Sequence, residues 1–167
     1  MSISMYQASA PGFDRMLGNL SALLTRAAGW AETRKIDPAV LLGARLAPDM
    51  FPLMRQVQIA CDYAKGACSL LAGSPPPRYE DTETSMAELQ ARIARTRAHV
   101  ATFAAAQIDG SEERQVRFKA GPREMEFQGL AYLTTYALPN FYFHYTMVYA
   151  ILRHNGMDLG KADFIGR

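Results

Sequence analysis

Two parts of the sequence carry side chains that can move a proton. Gln58 and Asp62 lie four residues apart with Cys61 between them, so a helix would place all three on one side. His144 lies among apolar residues, and a carboxylate that orients its imidazole would make it a proton donor or acceptor. We therefore predict a catalytic pair of His144 and Asp62, with Gln58 and Cys61 as ligand-binding neighbours.

Both parts also have a structural interpretation. Asp62 precedes Lys65 by three residues, so a local ion pair at the edge of an amphipathic helix would account for it. An imidazole on an apolar helix face must find a hydrogen-bond partner to offset its desolvation. His144 would then be a core histidine bonded to one side chain or carbonyl. The sequence leaves both interpretations open.

The three histidines are poorly spaced for a shared metal ion. No two of His99, His144 and His154 lie three or four residues apart, and no Glu-x-x-His motif occurs. His144 and His154 are ten residues apart, which turns them about 80° away from each other on a helix. We expect no metal and no cofactor.

Aromatic residues are concentrated near the end of the sequence. Because so many rings cannot all face one core, some must line a pocket or a subunit interface. We assign Tyr145, which is adjacent to His144, to a pocket wall; core packing with homodimer formation is the alternative. Seven of the seventeen aromatic residues lie in this window: Tyr132, Tyr136, Phe141, Tyr142, Phe143, Tyr145 and Tyr149.

The composition indicates one globular domain over residues 1–167, with 49% hydrophobic and 20% charged residues. The net charge of +2 and the lack of a dense basic stripe argue against a nucleic-acid partner. No apolar run reaches the roughly 18 residues of a membrane span, and no secretory signal is recognisable. Cys61 and Cys68 would lie about 10 Å apart along one helix, too far for a disulfide, so we expect a reduced, cytoplasmic protein.

The first half of the sequence has the apolar spacing of helices. A long helix is predicted over about 3–30, and Pro11-Gly12 is expected to make the turn before Phe13 kinked or separate. A short helix is predicted from Pro38 to about Gly43, with Asp37 as its N-cap. A second long helix is predicted over about 49–71, with Asp49 as its N-cap.

The second half contains further helical segments and one stretch where the helical spacing of apolar residues changes to the alternation of β-strands. Ser85 and Glu88 have the spacing of a capping box and predict the start of the third long helix. Alternating apolar and polar residues over 114–128 predict a β-hairpin. The chain is predicted to be helical again from Leu130 to about Tyr136, with a break before Pro139 because a proline disfavours helical geometry in the residue before it. The fourth long helix is predicted from Pro139 to about His154.

Several longer stretches resemble a family of short, uncharacterised bacterial proteins: Leu46–Leu53, Arg55–Asp62, Ala137–His144, Ala150–Gly156 and Leu159–Phe164. That family is similar in fold to the DinB-like and YfiT-like four-helix bundles. The resemblance implies a bundle that is commonly dimeric. It also implies relatives that are metal-dependent enzymes, including thiol transferases and a thiol-dependent isomerase.

The metal ligands of the DinB-like pattern are largely missing here. That pattern has one histidine on the second helix and two histidines, four residues apart, on the last. His144 matches one position, but Val148 stands four residues later, and the second-helix region holds Gln58, Ile59 and Cys61. The resemblance therefore implies an ancestral cleft that has become a metal-free pocket.

These observations give one prediction and two alternatives. We predict an all-α, antiparallel four-helix bundle with a short extra helix and a small β-hairpin insertion near 114–128. Its function would be metal-independent binding or turnover of a small molecule in a cleft between the second and fourth long helices. The alternatives are a non-catalytic homodimeric interaction protein, and a metal-dependent transferase or hydrolase that uses His144, Asp62 and a cysteine or glutamine.

Overall fold

The computed structural model of the chain describes residues 2–166. Helix α1 (Ala10–Thr33) has Pro11 in its first turn, where the missing N–H has no helical acceptor to lose. The chain before Ala10 forms a separate turn over residues 5–8, so the predicted interruption is a separate turn and not a kink, and the helix starts later than expected. Helix α2 (Pro38–Gly43) is as predicted, and the Asp37 carboxylate caps it by accepting the N–H of Ala39.

Helices α3 (Leu53–Leu71) and α4 (Met86–Val100) have the predicted apolar stripes. Helix α3 begins four residues after Asp49, because Pro52 has an extended ψ of 165° and forms the N-cap itself. The alanine-rich stripe of α3 is fully buried. The capping box is confirmed: the Ser85 hydroxyl accepts the N–H of Glu88, and the Glu88 carboxylate accepts the N–H of Ser85.

A short helix, α5 (Ala105–Ile108), precedes the predicted hairpin. Strands β1 (Gln115–Ala120) and β2 (Arg123–Gln128) pair antiparallel. The apolar face of the hairpin carries Phe118 and Phe127, and both rings contact Tyr132 and Tyr136. The hairpin therefore packs on the helical part of the chain, as a hairpin too small to be stable alone requires.

The chain enters the last long helix through a π-helical segment. Helix α6 (Gly129–Ala131) leads into π-helical turns over Tyr132–Ala137, and α7 (Leu138–His154) follows directly. The break predicted before Pro139 is therefore wrong. Wider turns move the preceding carbonyl groups away from the proline ring and remove the clash that a proline causes inside an α-helix.

Helix α3 lies at the centre of the packing, against α7 on one side and α4 on another, while α1 packs along α4. Helix α8 (Lys161–Ile165) packs on α1. Cys61 and Cys68 are both free and buried. The protein is thus mostly helical with one two-stranded sheet. Over residues 2–166, no helix has the length and apolar character that crossing a membrane demands.

Candidate functional site

A buried arginine of α4 forms ion pairs with acidic residues of α3 and of the loop that precedes α4. The Arg92 side chain is 1% exposed. Its Nη2 donates to Asp62 Oδ1 at 2.8 Å and lies 3.1 Å from Asp81 Oδ1. Its Nη1 donates to Glu83 Oε1 at 3.0 Å and to the Glu80 carbonyl at 3.1 Å. We call this group the Arg92 cluster; only Arg92 Nε is buried there without a hydrogen bond among the described residues.

Three residues of α3 extend the Arg92 cluster. Lys65 Nζ lies 2.9 Å from Asp62 Oδ1, so the predicted local ion pair forms. Arg55 pairs with Asp81. Gln58 donates to Glu83 Oε2 at 2.8 Å and accepts from Arg55 at 3.1 Å. The predicted polar strip is thus brought together, but as a crosslink from α3 to α4 and to residues 80–83.

The Cys61 thiol is fully buried beside the Arg92 cluster. Burial raises its pKa to about 12, although the nearby Thr96 side chain and the charge of Arg92 act in the opposite direction. The thiol is therefore protonated at neutral pH and is not a nucleophile. The structure places Cys61 in the core, away from solvent and from any ligand that it was predicted to bind.

His144 is buried and bonded to a glutamine that sequence reasoning missed. His144 Nδ1 lies 2.7 Å from Gln56 Oε1, and Gln56 Nε2 donates to the Phe51 carbonyl at 3.0 Å. Because that carbonyl fixes the direction of the amide, Gln56 Oε1 accepts and His144 Nδ1 carries the proton. Burial, together with the charge of Arg55, lowers the pKa of His144 to about 4. At neutral pH the ring is uncharged, and Nε2 holds a lone pair.

The predicted pair of His144 and Asp62 is not formed among residues 2–166. Asp62 bonds Arg92 and Lys65, whereas His144 bonds Gln56 and stacks on Tyr63 with ring centroids 5.9 Å apart. Consecutive residues of a helix point about 100° apart, so Asp62 reaches Arg92 while its neighbour Tyr63 reaches His144. Gln56 and Tyr63 are seven residues apart, and this two-turn spacing was the signal that could have located them.

Tyr145, which was predicted to line a pocket, packs in the core instead. Its ring is fully buried and lies 4.6 Å from the Phe164 ring, centroid to centroid. Its hydroxyl donates to the Phe164 carbonyl at 2.7 Å. Tyr145 therefore anchors the segment that contains α8 to α7.

An open cleft of about 270 Å³ lies between α3, the loop that follows it, β1 and the π-helical segment. We call it the aromatic cleft. Aromatic and small residues form most of its wall, and one carboxylate and one ammonium group complete it. Its lining comprises Asp62, Tyr63, Gly66, Leu70, Pro76, Phe118, Lys119, Ala120, Tyr132 and Tyr136.

The aromatic rings of the cleft pack on one another as well as on the open space. The Tyr136 ring lies 5.8 Å from Tyr63 and 5.1 Å from Phe118, centroid to centroid. Burial raises the pKa of Tyr63, and the neighbouring Tyr136 side chain raises it further. Burial likewise raises the pKa of Tyr132. These phenols stay protonated, so the cleft offers ring surfaces and neutral hydroxyl groups.

Of the predicted site residues, only Asp62 lines the aromatic cleft. Its Oδ1 atom is shared by Arg92 and Lys65, while Oδ2 accepts no hydrogen bond within residues 2–166. The side chain is 34% exposed. Arg92 and Lys65 therefore hold the carboxylate in place and leave one oxygen available to a ligand.

The residues present do not fit the three-histidine metal site of the DinB-like pattern. Residues 2–166 contain no group of three or more His, Cys, Asp or Glu side chains placed to hold one ion. His144 Nδ1 is occupied by Gln56, and Asp62 is paired with two cations. Val148 is fully buried where the pattern has a second histidine on the last helix.

Comparisons with known proteins agree with one another. The family described as "Domain of unknown function (DUF1993)" matches residues 5–165. A crystal structure of a DinB family member protein from Shewanella denitrificans is similar to this chain, with 40% sequence identity and a TM-score of 0.91. The match covers 97% of this chain and 92% of that one. No curated protein matches.

Proposed function

We propose, from the premise that the chain belongs to the DUF1993 family of uncharacterised DinB-like proteins, that it binds a small aromatic molecule in the aromatic cleft without a metal. The observation that carries this proposal is the open volume of about 270 Å³ bounded by Tyr63, Phe118, Tyr132 and Tyr136. Ligand sites are concave and mostly apolar, with a few polar groups that fix orientation.

The position of the cleft also supports the proposal. It lies along the groove between α3 and the segment that leads into α7, the region for which the second and fourth long helices were predicted to form a pocket. π-Helical turns are rare and occur frequently at functional sites, and here one such segment supplies both Tyr132 and Tyr136. We further propose that α1, α3, α4 and α7 form the antiparallel four-helix bundle of the DinB-like fold.

His144 has a limited part in this proposal. Its ring stacks on Tyr63, which lines the cleft, and its pKa of about 4 makes it a weak base. An uncharged imidazole at neutral pH supports Tyr63 by stacking and by its bond to Gln56. We therefore propose binding as the function, with Asp62 as the polar contact and His144 as a support for the wall.

Binding of 2-naphthol, a planar probe with one hydroxyl donor, tests the proposal by calorimetry. The wild-type protein should bind it saturably. Replacing Tyr136 by Leu should weaken binding about fivefold to tenfold, because one ring contact contributes about 1 kcal/mol. The matched control is Tyr142→Leu, which removes an exposed tyrosine of α7 outside the cleft and should leave the Kd unchanged. Absence of saturable binding by the wild type would overturn the proposal.

A second candidate function is self-association. Phe51 and Phe143 are 54% and 52% exposed, and they flank the bonded pair of Gln56 and His144. Exposed aromatic residues are enriched at interfaces. We expect a dimer mass in sedimentation at micromolar concentration, with Phe143→Ser shifting the protein to monomer. A wild-type monomer would remove this candidate.

A further inference from the structure

Gly66 is an unfavourable residue for the position that it occupies. It lies inside α3, five residues before the helix ends at Leu71. A glycine in a helix interior is less favourable than alanine because it loses more backbone freedom on folding. Helix stability therefore does not favour glycine at this position.

Nothing in the fold requires Gly66 to lack a side chain. A Cβ atom built at this position has no heavy atom within 4 Å apart from the helix's own backbone and chain neighbours. Its backbone is helical, a conformation that alanine prefers. Gly129 shows the contrast, since a Cβ atom there would overlap the Ser111 carbonyl. The fold explains Gly129 and leaves Gly66 unexplained.

The space beside Gly66 is part of the aromatic cleft, which the glycine helps to line. We infer that Gly66 keeps the floor of the cleft open so that the flat face of a ligand can lie against the α3 backbone. This inference rests on the proposed function and names the residue that sets its specificity. An alanine or a larger side chain would project into the space that the ligand uses.

The geometry also narrows the class of ligand. An apolar cavity of about 150 Å³ admits benzene, so a cleft of about 270 Å³ has room for two fused rings. Asp62 lies one turn before Gly66 on the same side of α3, and both line the cleft. Its Oδ2 atom can accept a hydrogen bond from the edge of such a ring. The ligand is therefore a fused-ring aromatic molecule with an O–H or N–H donor.

Two variants at position 66 and one control test the role of Gly66. Gly66→Ala should raise the Tm by about 2–4 °C and weaken 2-naphthol binding at least threefold, and Gly66→Leu should abolish it. Gly29→Ala is the matched control, because Gly29 also lies inside a long helix with no atom within 4 Å of a built Cβ. It should raise the Tm similarly and leave binding unchanged. A 2-naphthol analogue with its hydroxyl methylated should bind about tenfold more weakly, since its donor is lost.

The outcomes separate this inference from the proposed function. If the wild type binds 2-naphthol and Tyr136→Leu weakens binding while Gly66→Ala does not, the role of Gly66 is overturned and the binding function stands. If Gly66→Ala lowers the Tm, the glycine serves packing and the inference is equally overturned. If the wild type binds no 2-naphthol, the proposed function fails, and this inference fails with it.

Discussion

The side of α3 that faces α4 and the side that faces the π-helical segment carry different kinds of residues. Towards α4, Asp62 and Lys65 join the Arg92 cluster, in which three carboxylates converge on one buried guanidinium. Towards the π-helical segment, Tyr63 and Gly66 border open space. Asp62 lies where the two sides meet, because its Oδ1 atom joins the Arg92 cluster while its side chain also lines the aromatic cleft. On the first side the charged groups pair with one another, whereas on the second the side chains leave room for another molecule.

This difference shows that a dense set of polar residues need not mark a binding site. Buried charges are costly to desolvate, so they are retained only with partners. In the Arg92 cluster those partners come from residues 80–83 and from α3, and they fix the loop after α3 against the helices. Tyr79 of the same loop packs under Arg95, with the guanidinium 3.9 Å from the ring centroid. The cluster thus has a structural role, and the open side is the better candidate for ligand binding.

The largest effect should come from breaking the charged side. Replacing Arg92 by Met keeps most of the side-chain volume but leaves Asp62, Asp81 and Glu83 without their shared partner. Because these carboxylates are partly exposed, we expect a loss of about 2–3 kcal/mol, below the usual 3–5 kcal/mol for a fully buried pair. Urea unfolding measures it. Arg78→Met, which alters an exposed arginine, should cost less than about 0.5 kcal/mol; equal losses would contradict the distinction.

The next effect concerns His144, which stacks on Tyr63 of the open side. Its pKa is 6.5 in an ordinary setting and about 4 in the folded protein. Between these values the unfolded chain binds more protons, so the stability contributed at pH 7 is lost as the pH falls towards 4. From pH 7 to pH 5 the wild type should lose about 2 kcal/mol more unfolding free energy than His144→Phe does.

The pH comparison has a direct test. A titration followed by NMR should place the His144 midpoint well below 6.5. A midpoint at or above that value would mean that the ring is solvated, contrary to its buried bond with Gln56.

A smaller effect tests whether the two sides of α3 are energetically separate. Asp62 contacts Arg92 directly and has no hydrogen-bond partner in common with His144. In double-mutant cycles, Asp62→Asn with Arg92→Met should give a coupling energy of about 1 kcal/mol. Asp62→Asn with His144→Phe should be additive within about 0.5 kcal/mol. If the coupling energy of Asp62 with His144 were as large as that with Arg92, the two residues would interact as the sequence-based prediction of a catalytic pair requires.

The smallest effect tests how far the ligand site on the open side extends. Tyr145→Phe removes only the hydroxyl that donates to the Phe164 carbonyl, at a cost of about 1 kcal/mol or less. Because Tyr145 is fully buried against α8, the Kd for 2-naphthol should not change. Weaker binding in this variant would show that the ligand site extends beyond the aromatic cleft.

Much of the fold could be predicted because its signals are local. The start of α4 depends on a hydrogen-bond exchange between Ser85 and Glu88, which are three residues apart. The hairpin follows from alternating residues around a turn. The start of α3 was missed because Asp49 and Pro52 both lie near it, and only the backbone at Pro52 decides where helical geometry begins.

The candidate site was predicted only in part, for a related reason. The strip of Gln58, Asp62 and Lys65 was visible because its residues share a helix face, and the local ion pair forms. The expected relation of Asp62 to His144 failed because these residues are far apart in sequence and each found another partner. Gln56 and Tyr63 were not singled out, although their spacing would have allowed it.

The sequence by itself determined the helical periods, two of the caps, the hairpin and the loss of the histidines that a DinB-like metal site would need. Tertiary structure alone decided which groups meet: Arg92 with three carboxylates, His144 with Gln56, and the π-helical segment with the hairpin around the aromatic cleft. The physical reason is the distance in sequence over which each interaction acts. Periods and caps are set by residues within a turn or two of each other, whereas ion pairs and open space between elements depend on side-chain directions that only the packed helices fix.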